Sequence, residues 1–313
     1  MGLAGCLLVC ELALGLALPV HRGRHEVDTR VAQIASLEGA PRAVLLADSL
    51  SFGALVGEED GRPLVGEDVL DLASNQSIGV AGNAFLLRRL LEATPAAPER
   101  VVYASYPHSF RSNLDSERFL EPYFTSVFTA PEEIADVERL LDRPDLDAAL
   151  RSAGGLGGLY PPSHTRRGWL LDRVSAGLRS AQRALLGGRS APKAGEAARQ
   201  KIAERAALPG FEASEVTRAF LPELIARCEE RGIELVLVTA PLPPSLKSAW
   251  EASGYWEQYE AWRADLAAAH PETVRVLPCP WTPSSDDEFY DGVHVVPSTR
   301  IAWGRALAGL LEQ

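Results

Sequence analysis

A chain of 313 residues can bury a core of its own and is too long for a disulfide-stapled scaffold, which leaves one decorated domain or two lobes. With 46% hydrophobic and 23% charged residues and a mean hydropathy of −0.03, it is neither disordered nor a multi-spanning membrane protein. Its 31 Lys and Arg against 42 Asp and Glu leave a formal charge of −11, which argues against a nucleic-acid partner held by phosphate neutralisation.

The chain begins with an apolar leader, Leu3 to Val20, interrupted only by Glu11 and closed by Pro19. That is the length of an export signal or a single membrane anchor. Arg22 and Arg24 follow the run rather than precede it, against the usual charge bias. Read as an export signal or anchor, residues 1–20 lead to the expectation that the rest of the chain, 21–313, lies outside the cytoplasm, in the periplasm or at the cell surface, secreted or tethered by this helix; the rival reading is a buried N-terminal helix of a soluble protein. Cys6 and Cys10 lie in the leader. Cys228 and Cys279 are then either a disulfide pair or two buried thiols.

Beyond a connecting helix between Arg24 and Ala40, short apolar runs recur at Ala43–Leu46, Val69–Ala73, Val101–Ser105, Ile233–Thr239 and Val274–Leu277. Runs of this length bounded by small polar residues read as buried strands. Helical patterns lie at Ala84–Ala93, Thr217–Arg231, Trp256–His270 and Thr299–Leu311, and Pro241–Pro244 reads as a rigid loop. Alternation of strand and helix predicts a parallel sheet of about five strands in a three-layer α/β/α sandwich. Residues 110–210 break the rhythm and read as a helical insertion after the third strand. Within it, Gly154 to Gly158 is a hinge rather than a dinucleotide loop, and the basic stretch from Arg166 to Lys201 is a solvated helical face or a contact to an anionic surface.

Two blocks carry chemistry. The first strand ends in Ala47-Asp48-Ser49, and parallel sheets place ligands at the carboxyl ends of their strands. The last helix is preceded by Asp291-Gly292-Val293-His294. An imidazole from such a turn can take the Ser49 proton while Asp291 fixes its tautomer. The rival reading makes Asp48 or Ser49 a helix cap.

These blocks resemble those of the SGNH (GDSL-type) hydrolase superfamily, with Ala47 where the first glycine stands in the Gly-Asp-Ser block. The resemblance implies a flavodoxin-like fold, Ser49 as nucleophile, His294 as base and Asp291 as its partner, with no cofactor. The family's middle blocks supply oxyanion donors. Here the stretch after the second strand offers Gly79, Asn75 or Ser77, and that after the third offers Tyr106 or His108 in place of an asparagine. More loosely, the leader, the insertion, Gly232 to Pro241 and Phe289 to His294 resemble the extracytoplasmic branch that acts in alginate O-acetylation or teichoic acid D-alanylation. That likeness implies an acylated carbohydrate or cell-envelope polymer as substrate and a membrane-bound O-acyltransferase as partner.

The resulting expectation is serine-dependent ester hydrolysis or O-acyl transfer through an acyl-Ser49 intermediate. Its rival is a non-catalytic carbohydrate-binding or scaffold protein of the same fold. A hard-cation site among Asp286, Asp287, Glu288, Asp291 and His294 is the weaker alternative, since no second ligand cluster appears in the sequence. Trp250, Trp256, Trp281 and Trp303 are either a sugar platform or core.

Overall fold

The computed structural model describes residues 26–56, 63–74, 78–112, 128, 130–141 and 194–313. The leader, Asn75, Ser77, Gly154–Gly158 and most of the basic stretch lie outside them. The chain divides into two compact units, Met1–Thr29 with Leu120–Ala191, and Arg30–Phe119 with Pro192–Gln313. In the first unit the described helix Pro131–Leu140 starts on a proline, and Glu133 accepts from the Ala130 N–H at 3.0 Å.

The second unit is built on five parallel strands, β1 (Ala43–Ala47), β2 (Val69–Asp71), β3 (Arg100–Ser105), β4 (Glu234–Thr239) and β5 (Val274–Leu277), in the order β2-β1-β3-β4-β5. All five sequence runs are strands. The register aligns Ala43 with Val69 and Arg100, Arg100 with Glu234, and Leu235 with Val274. Every residue of β1 is buried, as a central strand covered on both faces requires. The short flanking strands β2 and β5 are only partly buried. At the amino edge, Arg100 Nε meets Glu234 Oε2 at 2.5 Å and binds neighbouring strands together.

The helices are α1 (Glu26–Ala35), α2 (Gly79–Ala93) and α3 (Pro107–Ser112), then α4 (Pro131–Leu140) of the first unit, and α5 (Ala194–Ala206), α6 (Glu215–Arg231), α7 (Pro244–Ser253), α8 (Tyr255–Ala269) and α9 (Pro297–Leu311). Successive strand residues point to opposite faces, so each central strand feeds two cores. Leu45, Ala47, Val102 and Val236 pack in one cluster with Trp250 of α7 and Trp303 and Leu307 of α9. On the other face Phe85 of α2 meets Phe220 of α6 edge to face at 5.5 Å, and Tyr103 of β3 meets Phe110 of α3 at 5.7 Å. Sheet and two helical layers make a three-layer α/β fold. The Pro241–Pro244 loop is shorter than the sequence suggests, because Pro244 opens α7 at the first helical position, where a missing N–H costs nothing.

Among the described residues no helix is long and apolar enough to cross a membrane. Cys228 and Cys279 are free thiols, and the disulfide alternative is set aside. Burial pushes Cys228 up to about 12, and Cys279 donates to the Trp281 carbonyl at 2.8 Å.

Candidate active site

In a sheet of order 2-1-3-4-5, strand connections reverse direction between β1 and β3, and ligands bind at the carboxyl side of that point. The turn after β1 carries Asp48 and Ser49 there. Asp48 is 8% exposed, and its carboxylate holds the turn. Oδ1 accepts from the Leu50 N–H at 3.0 Å, and Oδ2 accepts from the Ser109 hydroxyl at 2.8 Å. Ser109 lies in α3, directly after β3, so Asp48 ties the two sides of the switch point. Burial pushes the Asp48 carboxyl above the ordinary range, opposed by the bonds from Leu50 and Ser109 and the charge of His294.

The second arm is the turn before α9. An isolated antiparallel bridge between Phe289 and Val295 pinches it, and the Tyr290 N–H donates to the His294 carbonyl at 3.0 Å. Gly292 turns the chain at φ +83°, a conformation that disfavours side chains. Within this turn Asp291 Oδ1 accepts the N–H groups of Val293 at 3.2 Å and His294 at 2.9 Å. Its other oxygen faces the ring, with His294 Nδ1 2.9 Å from Asp291 Oδ2.

The two turns meet where Ser49 Oγ lies 2.9 Å from His294 Nε2. A carboxylate only accepts, so Nδ1 carries the ring proton and Nε2 presents its lone pair to the Ser49 hydroxyl. Partial burial works to raise the Asp291 carboxyl, but the bonds and charge of His294 and the ammonium of Lys201 outweigh it. The carboxyl is held well below the usual carboxylate range. The three residues singled out in the sequence thus stand in one hydrogen-bonded line, Ser49 to His294 to Asp291.

Of the oxyanion candidates, Gly79 opens α2 with φ +60°, and the preceding Ile78 supplies no side-chain cap to the first-turn N–H groups. A helix start in this condition presents positive partial charge. Tyr106 is 4% exposed, with its ring 5.7 Å from Trp250 and the Arg205 guanidinium 5.3 Å above it. His108 packs edge-on to Tyr106, and burial, with Arg205 and Arg111, lowers it to about 4. Trp250 and Trp303 are core residues at 0% exposure. Trp256 and Trp281 border a cavity of about 280 Å³ beyond the ends of β4 and β5.

Among the described residues, four contacts at or beside these turns escape sequence reasoning. Lys201 of α5 donates to Asp291 Oδ2 at 3.2 Å. Ser109 anchors Asp48. Tyr290 stacks on the His294 ring at 5.6 Å and 18° while remaining 51% exposed. Ser51 is fully buried and accepts from the Trp303 indole at 3.3 Å. Each pairing joins distant chain segments or turns on an orientation that no local motif encodes. Of the acidic cluster, Asp286 accepts from the Ser245 N–H, and Glu288 from Ser284 and Ser285. Among the described residues no group of three or more His, Cys, Asp or Glu is placed to hold a metal ion.

The arrangement is that of an α/β protein with a hydroxyl, an imidazole and a carboxylate in series at its switch point. No family model matches the chain, and no curated protein does. Among solved structures, one from Streptococcus pneumonia named for platelet activating factor is similar to it at 11% identity, covering 99% of this chain and 100% of its own, with a TM-score of 0.36.

Proposed function

We propose that the protein is a serine-dependent acyl hydrolase or O-acyltransferase of the SGNH type. The observation that carries this reading is the Ser49–His294–Asp291 line, with spacings of 2.9 Å and 2.9 Å, at the carboxyl edge of a 2-1-3-4-5 sheet. His294 Nε2 takes the Ser49 proton as Oγ attacks an ester carbonyl, and Asp291 stabilises the imidazolium that forms. The N–H groups of Ser49 and of the first turn of α2 receive the oxyanion. Collapse leaves acyl-Ser49 and passes the proton from His294 to the departing alcohol. In the second half, His294 deprotonates water to give an acid, or an acceptor hydroxyl to give a new ester. The leader and the looser family likeness support an acylated carbohydrate or envelope polymer as substrate, outside the cytoplasm and beside a membrane-bound O-acyltransferase.

The test is fluorophosphonate labelling of the protein, with 4-nitrophenyl acetate turnover alongside. Wild type labels, Ser49→Ala does not, and Asp291→Asn labels slower by about four orders of magnitude, because an amide donor facing Nδ1 imposes the wrong tautomer. A folded wild type that neither labels nor turns over ester transfers the reading to a carbohydrate-binding or scaffold protein.

A further inference from the structure

Helix α5 lies against the Asp291–His294 turn at backbone level. A Cβ on Gly292 would stand 2.7 Å from the Ala198 carbonyl oxygen and 3.2 Å from the Ile202 side chain. Next to Ile202, Lys201 donates from Nζ to Asp291 Oδ2 at 3.2 Å, and the same oxygen is 2.9 Å from His294 Nδ1. Oδ1 is taken by the N–H groups of Val293 and His294. Among the described residues four donors reach this carboxylate, and of these Lys201 alone comes from outside the turn. Two effects follow. The ammonium restrains rotation of the carboxylate that orients the imidazole. It also shares the counter-ion on which the His294 imidazolium would rely, and like charges around one carboxylate oppose each other.

We propose that Lys201 is a positioning residue of the Ser49 site, holding the Asp291 carboxylate in line with His294 and setting how much of its charge the imidazole receives. This inference rests on the reading of Ser49, His294 and Asp291 as a proton relay. Among the described residues, the groups around the imidazole are Ser49 from the turn after β1, Asp291 and the Tyr290 ring from its own turn, and Lys201 from α5 through Asp291, with the Asp48 carboxyl acting on it through its charge. Arg300 of α9 acts on Tyr290. Lys201 is half exposed, so its effect belongs on the pH and salt axes rather than in global stability.

The experiment compares the whole chain with Lys201→Met and Lys201→Arg by fluorophosphonate labelling rate across pH at low and high salt. A parallel proton NMR measurement follows the His294 Nδ1–H resonance in the Ser49→Ala background, with and without Lys201→Met. Loss of the ammonium favours the imidazolium, so the acid limb of the Lys201→Met profile moves up by about 0.2 to 0.7 of a pH unit, the worth of a half-exposed pair. Lys201→Arg keeps the wild-type limb. High salt narrows the gap between the wild-type and Lys201→Met limbs. The Nδ1–H resonance shifts when Lys201 is removed. Superimposable profiles, a uniform rate loss with no movement along pH, or an unshifted resonance each overturn the proposal. A wild type that does not label defeats the Ser49 reading instead, and the resonance still decides the Lys201 contact.

Discussion

His108 shows how strongly one side chain's surroundings can link folding to pH. It lies near Arg205 and Arg111, and burial with those two charges lowers it from 6.5 to about 4. Between those values the unfolded chain binds a proton that the folded protein refuses, so stability falls as pH falls. The contribution is fully present above pH 6.5 and lost by about pH 4, and its full size is about 3 kcal/mol. Urea unfolding near pH 7 and pH 5 is expected to show wild type losing about 2 kcal/mol more than His108→Gln, which has no such proton to bind. Equal losses would mean that another group dominates acid destabilisation. At the same scale, Ser49, Asp291 and His294 were legible because their signals are local: a serine at a strand end, and an Asp-x-x-His step before a helix. Lys201 lies 90 residues from Asp291, and no local pattern couples them.

Among elements, α9 links both arms of the site. It follows the His294 turn and packs its Gly304 on the turn after Ser49, where a Cβ would come 1.8 Å from the Ala54 carbonyl oxygen. The adjacent Trp303 is fully buried and donates to Ser51. One helix therefore sets the distance between the serine turn and the histidine turn. Gly304→Ala forces α9 and the segment around Ala54 apart, costing about 1 to 3 kcal/mol, and is expected to lengthen the Ser49–His294 contact. Labelling that slows under conditions where the variant is fully folded is the expected result, whereas an unchanged rate would show that the turns are held independently of α9. The strands were read to within a residue or two, because buried parallel strands are continuous apolar runs. Helix starts were read less well. Gly79 to Asn83 lack a capping side chain and resemble a loop, and Pro244 resembles a break although it begins α7.

At the scale of the molecule, the candidate site occupies one side of the sheet and a buried cation occupies the other. Arg263 of α8 is 1% exposed, and its guanidinium donates to the Leu237 carbonyl at 2.9 Å, the Leu277 carbonyl at 2.6 Å, Thr239 Oγ1 at 2.7 Å and Glu260 at 2.7 Å. Leu237 is in β4 and Leu277 ends β5, so one side chain joins two strands and α8. Such a charge is tolerable only because its hydrogen bonds are met, and removing it leaves buried carbonyls without donors. Arg263→Met is expected to lower the unfolding free energy by about 3 to 5 kcal/mol, read from urea denaturation. Three strand spacings separate β5 from β1, about 14 Å, which is beyond the range where substitutions usually couple. The labelling rate of the folded variant should therefore match wild type. A rate that falls with stability would instead mean that the carboxyl edge of the sheet responds as one unit, with Arg263 bracing the Ser49 end as well as its own.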